Sequence, residues 1–399
     1  MTIKTHIGTT DTDPHEGLAG PLSSANRLKL GTFASNSERG STITTIPGAL
    51  KAEWSESLWA AEVADRMGLE AIVPISRWKG IGGVTNYNGR NFDTMTWAAG
   101  IAASTSYSMV FSTTNVGLIH PIVAAKQIAT IDHISGGRAA LNIVSGWFEP
   151  EIKMFAKVLP EHDTRYDVST EFTEILLALW SGGEFEEISY LGRHFTVIDG
   201  YSEPKPLRKP HPPLMNAGVS ARSQEFTARY ADIAFIFARS EDLDEGRAQV
   251  QALREKAAAF GRTLQVWTYG YVVSRDTDAE ADEYYHYYTV EHGDIVAAEN
   301  LMRGASMQTE MMGAKAWDFY RQRYIAGAAG FELKGCPERV VEGLQFISDM
   351  GCDGILLCWP DWRTDLPYFE EKILPLVEQA GLRNPFTAGG DAGRPSTAA

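Results

Sequence analysis

Eight short apolar runs, each followed by a stretch of helical periodicity, recur along this chain, and that alternation constrains the fold more than any other feature. The runs cover residues 28–33, 71–75, 108–113, 138–142, 214–217, 233–237, 265–273 and 354–357. Their length suits buried strands, while intervening patterns such as 54–67, with Trp59, Val63 and Met67 recurring along it, suit amphipathic helices. Eight βα units joined by right-handed crossovers predict an α/β fold, the TIM (β/α)8 barrel with insertions. A doubly wound sheet is the alternative, but Gly80-Ile81-Gly82-Gly83 does not complete its G-x-G-x-x-G signature.

Two segments break the rhythm. Residues near 184–213 combine a hairpin-like Phe195-Thr196-Val197-Ile198 with a Pro-rich run, and residues near 279–333 are helical in character and rich in Tyr and Met. The second is too long for an ordinary connection and is expected to form a lid. With 399 residues and 44% hydrophobic content the chain can bury one large core. We expect a single barrel over 26–386, flanked by a mobile arm at 1–25 and a mobile tail at 387–399, both rich in small and polar residues.

Charge and motif spacing remove several functions. A formal net charge of -15 argues against nucleic acid or an anionic membrane as partner, so any anionic ligand needs a local site. Three cysteines in no metal-ligand spacing, and no apolar run long enough for a leader or a span, point to a reducing cytoplasm. H-E-x-x-H, G-x-S-x-G and a phosphate-loop G-K-[ST] are all missing, and His286 and His292 are spaced wrongly for one helix face. No metal is expected.

A barrel gathers its ligand chemistry at the carboxyl ends of its strands. In Asn142-Ile143-Val144-Ser145-Gly146-Trp147 a carboxamide stands at such an end, where it can both donate to and accept from a polar ring edge. Arg165-Tyr166 offers a charged fork and a hydroxyl ahead of a helix, and Asn216-Ala217-Gly218-Val219-Ser220 runs from a strand into a helix start, which makes an anion cradle. Plainer roles exist for each: Asn142 as a turn cap, Trp147 as core, Arg165 paired with Asp163 or Asp167, Ser220 as an N-cap. Convergence of several such residues on one barrel end favours a site.

Taken together, Ser135-Gly136-Gly137-Arg138, Asn142 to Trp147, Glu151 and Glu161-His162-Asp163-Thr164-Arg165-Tyr166 resemble the bacterial-luciferase-like flavin monooxygenases. The likeness is to the branch of dimethylsulfone, pyrimidine and nitrilotriacetate monooxygenases, with riboflavin lyase as a near relative, and runs from about Leu28 to about Glu378. It implies a two-component enzyme that uses FMNH2 from a separate flavin reductase, and O2, through a flavin peroxide. The resemblance places Arg165, Tyr166, Gly218 and Ser220 at the phosphate, Asn142, Glu151, Ile75 and Ser76 along the flavin, and Thr113 with Asn142 where oxygen adds. Arg77-Trp78-Lys79 departs from the family pattern, which leaves the substrate wall open. A homodimer or homotetramer is expected.

Ten tryptophans sharpen the substrate question. Trp78, Trp147, Trp359 and Trp362 fall near strand ends, and as stacking walls they favour a planar heterocycle such as riboflavin or a pyrimidine. In Trp359-Pro360-Asp361-Trp362-Arg363 the polar pair would bind a polyol or ring amide edge. A sulfone or alkanesulfonate monooxygenase, an F420-dependent dehydrogenase and a non-catalytic flavin-binding barrel are the alternatives.

Overall fold

The structure is a computed structural model that describes residues 20–218, 220–238, 242–305, 307 and 313–387. Most of the expected arm and tail lies outside the described residues. The strands are β1 (Lys29–Phe33), β2 (Ala71–Val73), β3 (Met109–Asn115), β4 (Ala139–Val144), β5 (Ile188–Leu191), β6 (Thr196–Gly200), β7 (Leu214–Ala217), β8 (Ile233–Phe235), β9 (Gln265–Ser274), β10 (Phe331–Gly335) and β11 (Gly354–Cys358). Eight of them pair in parallel in the order β1-β2-β3-β4-β7-β8-β9-β11, and β11 returns to β1. This is the closed (β/α)8 barrel that the eight apolar runs predict.

The outer helices are α1 (Trp54–Arg66), α2 (Thr94–Ser104), α3 (Pro121–Ser135), α4 (Glu149–Met154), α5 (His162–Ser181), α6 (Ala221–Tyr230), α7 (Leu243–Ala258), α8 (Asp278–His286), α9 (Ile295–Gly304), α10 (Ala314–Gly327), α11 (Pro337–Asp349), α12 (Trp362–Tyr368) and α13 (Leu374–Gln379). β10 is a ninth strand that the alternation did not predict. β9 runs ten residues, but β8 pairs only with its start, at Gln265 to Trp267. The upper half of β9 would present bare backbone groups, and β10 covers it from Gly270 to Ser274.

Below the barrel, Arg138 acts as a clip. Gly136 takes the left-handed conformation that ends α3, and the Arg138 guanidinium donates to the carbonyl oxygens of Ala102, Thr105, Ser108 and Ser135 and to Thr105 Oγ1. These bonds join the ends of α2 and α3 to the entries of β3 and β4. Part of the Ser135-Gly136-Gly137-Arg138 signature is therefore architecture, at the end of the barrel away from Asn142.

Above the barrel, the 279–333 segment is tied to the loops after β1 and β2. Ile43 N donates to Ile325 O, Asp294 N to Ile43 O, and Asn300 Nδ2 to Ile81 O. A second, smaller apolar cluster forms there from Ile43, Ile81, Tyr87, Ala297, Leu301 and Ile325, with Trp147 and Phe148 packed against it. The 184–213 segment contributes the antiparallel β5–β6 hairpin.

Candidate active site

Hydrogen-bond arithmetic at Thr113 fixes the orientation of Asn142. The Thr113 hydroxyl has one proton, and it goes to Pro74 O at 2.7 Å. Toward Asn142 it can only accept, so the amide nitrogen faces it, 3.3 Å away. Asn142 Oδ1 is then left buried without a partner in a side chain only 5% exposed. An orphaned acceptor at the carboxyl end of a barrel strand is a site waiting for an N–H. The Thr113 proton is already used on Pro74 O, so toward any further partner its hydroxyl can only accept, and it orients Asn142.

The loop after β4 is clamped between β3 and α5. Gly146 has φ +83°, and a Cβ there would lie 2.9 Å from the Asn115 amide, so only glycine fits. Its carbonyl accepts from Arg165 Nη1, while Ser145 Oγ and Ser169 Oγ share a 2.7 Å bond. The plainer pairings for Arg165 are filled by others: Asp163 by His162 at 2.8 Å and Asp167 by Arg222 at 2.6 Å. Arg165 Nε stays buried and unpartnered.

That Arg222–Asp167 ion pair also draws the starts of α5 and α6 together. A Cβ on Gly218 would sit 1.8 Å from Ser223 Oγ and 2.8 Å from Tyr166 Oη, so the chain approaches Tyr166 too closely for any side chain at 218. Ser220 Oγ accepts from Ser223 N at 3.1 Å and caps α6. Arg165, Tyr166, Gly218 and Ser220 thus belong to two adjoining helix starts. A cleft of about 320 Å³ adjoins Arg165 and is lined by Asn115, His120, Ser145, Lys157 and His194 among others, a locally basic place on an acidic chain.

Glu151 and Ile75 shape the opposite wall. One Glu151 oxygen accepts from Trp78 N, and the other lies 3.7 Å from Arg77 Nη1. Ile75 is pinned at both backbone atoms by Asn36, whose Oδ1 accepts from Ile75 N at 2.9 Å and whose Nδ2 donates to Ile75 O at 2.8 Å; Ser76 is next, half-buried. Asn36 escaped the sequence reading, although it stands just past the first strand end as Asn142 stands at the fourth. The same search for a polar residue at a strand end finds it.

The four candidate tryptophans separate. Trp359 and Trp362 have no exposed surface and pack edge to face at 5.2 Å in the main core. Their assignment to a substrate wall is corrected, and the reason is local. Asp361 accepts from Thr364 N at 3.1 Å and starts α12 directly after β11, so no loop remains to overhang the barrel. Asp361 is spent on that cap, and Arg363 pairs with Glu56 at 2.8 Å and lies 4.0 Å from the Trp59 ring centre. Trp78 is 49% exposed with its ring edge on Phe155. Trp147 is half-buried at the mouth, with Arg77 over one face at 4.6 Å. Nearby, Cys358 is pushed up to about 12 by burial and lies 2.9 Å from Tyr269 Oη, which keeps it a neutral thiol with little nucleophilicity.

Among the described residues no helix is long and apolar enough to cross a membrane, and no group of three or more His, Cys, Asp or Glu side chains is placed to hold a metal. A family profile described as luciferase-like monooxygenase matches residues 28–354. The chain is 29% identical to an FMNH(2)-dependent dimethylsulfone monooxygenase of Pseudomonas putida over 80% of its own length and 86% of the relative's. It is 27% identical to a pyrimidine monooxygenase of Acinetobacter baylyi over 88% of its length and 95% of that protein's. A solved structure of riboflavin lyase, determined with modified FMN and riboflavin, superposes with a TM-score of 0.79 over 90% of this chain and 94% of that one at 21% identity, a likeness of fold.

Proposed function

The chain belongs to the luciferase-like monooxygenase family, and from that premise we propose that it is the oxygenating component of a two-component system that works with reduced FMN and O2. The observation that carries the reading is the buried, unpartnered Asn142 Oδ1 at the end of β4. It suits a ring N–H of a flavin lying across the barrel mouth. When bound, the reduced flavin supplies the electrons that activate O2.

The chain's own residues then divide the work. Thr113 holds the Asn142 amide in one orientation through Pro74. Arg165, Tyr166 and the α6 start at Gly218 and Ser220 hold the phosphate, where a permanent guanidinium and free helix N–H groups suit a dianion. Asn36 fixes the Ile75 backbone, which would support the ring, and Glu151 fixes the loop from Trp78. Helices α9 and α10, tied to the loops after β1 and β2, cap this space and keep water from the reacting atoms, as a lid does. The fit is good: an orphaned acceptor for the ring, a partly free guanidinium for the phosphate, and a glycine where a Cβ would close the cradle.

Arg165→Ala is expected to weaken FMN binding by about 1.5–3 kcal/mol, or about 10- to 150-fold in Kd, the value of a charge-assisted contact. Fluorescence titration of FMN reads it directly, and an unchanged Kd removes Arg165 from the site.

For the substrate we propose a small planar heterocycle, a pyrimidine or riboflavin, set against the partly exposed edge of Trp147. Its relatives are named for a sulfone, pyrimidines and riboflavin, and the flat-ring reading rests on that one indole. Incubation with FMN, a flavin reductase and NADH should consume uracil or riboflavin in an O2-dependent reaction. Consumption of dimethylsulfone or methanesulfonate alone overturns the substrate proposal, and turnover only with F420 overturns the cofactor.

A further inference from the structure

Two arginines with largely buried side chains stand at opposite ends of this barrel, Arg138 ahead of β4 and Arg77 after β2, and they are treated very differently. Arg138, below, spends its guanidinium on five hydrogen bonds. Arg77, above, is 11% exposed at its side chain, and among the described residues its guanidinium makes no hydrogen bond. Among the described residues Glu151 is the one carboxylate within ion-pair distance of it, with Tyr87 the other titratable group that faces it, and the Glu151 pairing is loose. Its nearer oxygen stands 3.7 Å off, beyond hydrogen-bond reach, while its other oxygen is occupied by Trp78 N. Burial presses the Arg77 guanidinium down from its usual pKa, the mark of a cation short of counter-charge.

The remaining surroundings orient the fork without satisfying it. The guanidinium lies over the Trp147 ring at 4.6 Å and the Phe148 ring at 5.6 Å, which fixes its plane. Glu151 belongs to α4 and Trp147 to the loop after β4, while Arg77 comes after β2. The group therefore joins the segments that follow β2 and β4, the two neighbours of β3 in the barrel, at the strand end that also carries Thr113 on β3 and Asn142 on β4. The buried Nε is left without a partner, which is costly unless something completes it, while the two terminal nitrogens stay open to a ligand.

We propose that Arg77 determines specificity by binding an anionic group of the substrate, a carboxylate or sulfonate, on its planar fork at the barrel mouth. This rests on the reading of the mouth as the flavin and substrate site, and it ranks acidic planar rings above their neutral counterparts, which still enter the site. Lysine cannot replace it fully, because the bidentate geometry belongs to the guanidinium.

Calorimetric titration of the FMN-loaded protein with two matched pairs tests it: orotate against uracil, and benzoate against benzamide. The wild type is expected to bind each acid about 10- to 150-fold more tightly than its neutral partner, the worth of a charge-assisted contact. Arg77→Gln should erase that preference with FMN affinity kept, and Arg77→Lys should retain part of it. Equal affinities within both pairs in the wild type, no binding of any of the four, or a preference that survives Arg77→Gln overturns the proposal. So does a loss of FMN affinity in Arg77→Gln, which would make Arg77 a cofactor ligand. Should Arg77→Gln not fold, the wild-type ratios and Arg77→Lys decide. Failure of the wild type to bind FMN at all is a separate result, and it sinks the flavin reading itself.

Discussion

Asn142→Ala is expected to lower product formed per reduced flavin oxidised by about 100- to 1000-fold, with the missing equivalents recovered as hydrogen peroxide. The magnitude is that of removing one preorganised hydrogen-bonding group aimed at a reacting centre inside a water-poor site. Two features make Asn142 such a group. Its amide is held by a chain of bonds to Thr113 and Pro74, so it loses no freedom when it engages the flavin. Its oxygen has no other partner to give up. FMN affinity should change little, because the phosphate contacts lie elsewhere, on α5 and α6. The fold should persist as well, since the carboxamide makes only the one bond to Thr113. Peroxide and product measured in the same reaction decide the matter: a wild-type product yield in Asn142→Ala would end the proposed role.

How much of this was legible in the sequence depends on how local each cause is. The eight barrel strands were readable because each is a short apolar run between helical patterns, and the ring results from that repetition. β10 was not. Phe331-Glu332-Leu333-Lys334-Gly335 is half polar, and what makes it a strand is the excess length of β9, some sixty residues earlier. Asn142 and Arg165 were visible as types in suggestive places, but their states were not. Only the fold shows that Asp163 and Asp167 are taken by His162 and Arg222, which frees Arg165 from its plainer pairing. Arg138 shows the converse, for it belongs to the most recognisable signature in the chain and does no chemistry. Glu151 and Arg77 needed three dimensions, because their geometry joins segments about seventy residues apart.

Trp362 is where sequence reasoning went furthest astray, and Trp362→Ala is expected to act on stability alone. Truncating a fully buried indole removes its apolar surface and leaves a cavity, together worth about 3–5 kcal/mol. Trp362 has no exposed surface, packs on Trp359 at 5.2 Å, and comes so near the backbone that a Cβ on Gly40 would lie 3.0 Å from its Nε1. A side chain so enclosed neither stacks on a substrate nor reaches a partner subunit. The denaturant midpoint should therefore fall, while turnover per folded molecule and the sedimentation coefficient stay at wild-type values. Trp362→Phe supplies the control. The Trp362 Nε1–H is buried without an acceptor, so phenylalanine keeps much of the packing and removes an unsatisfied donor. It should cost less than half as much as alanine. A wild-type midpoint in Trp362→Ala, accompanied by lost turnover of a heterocycle, would return this residue to the pocket and undo the assignment to the core.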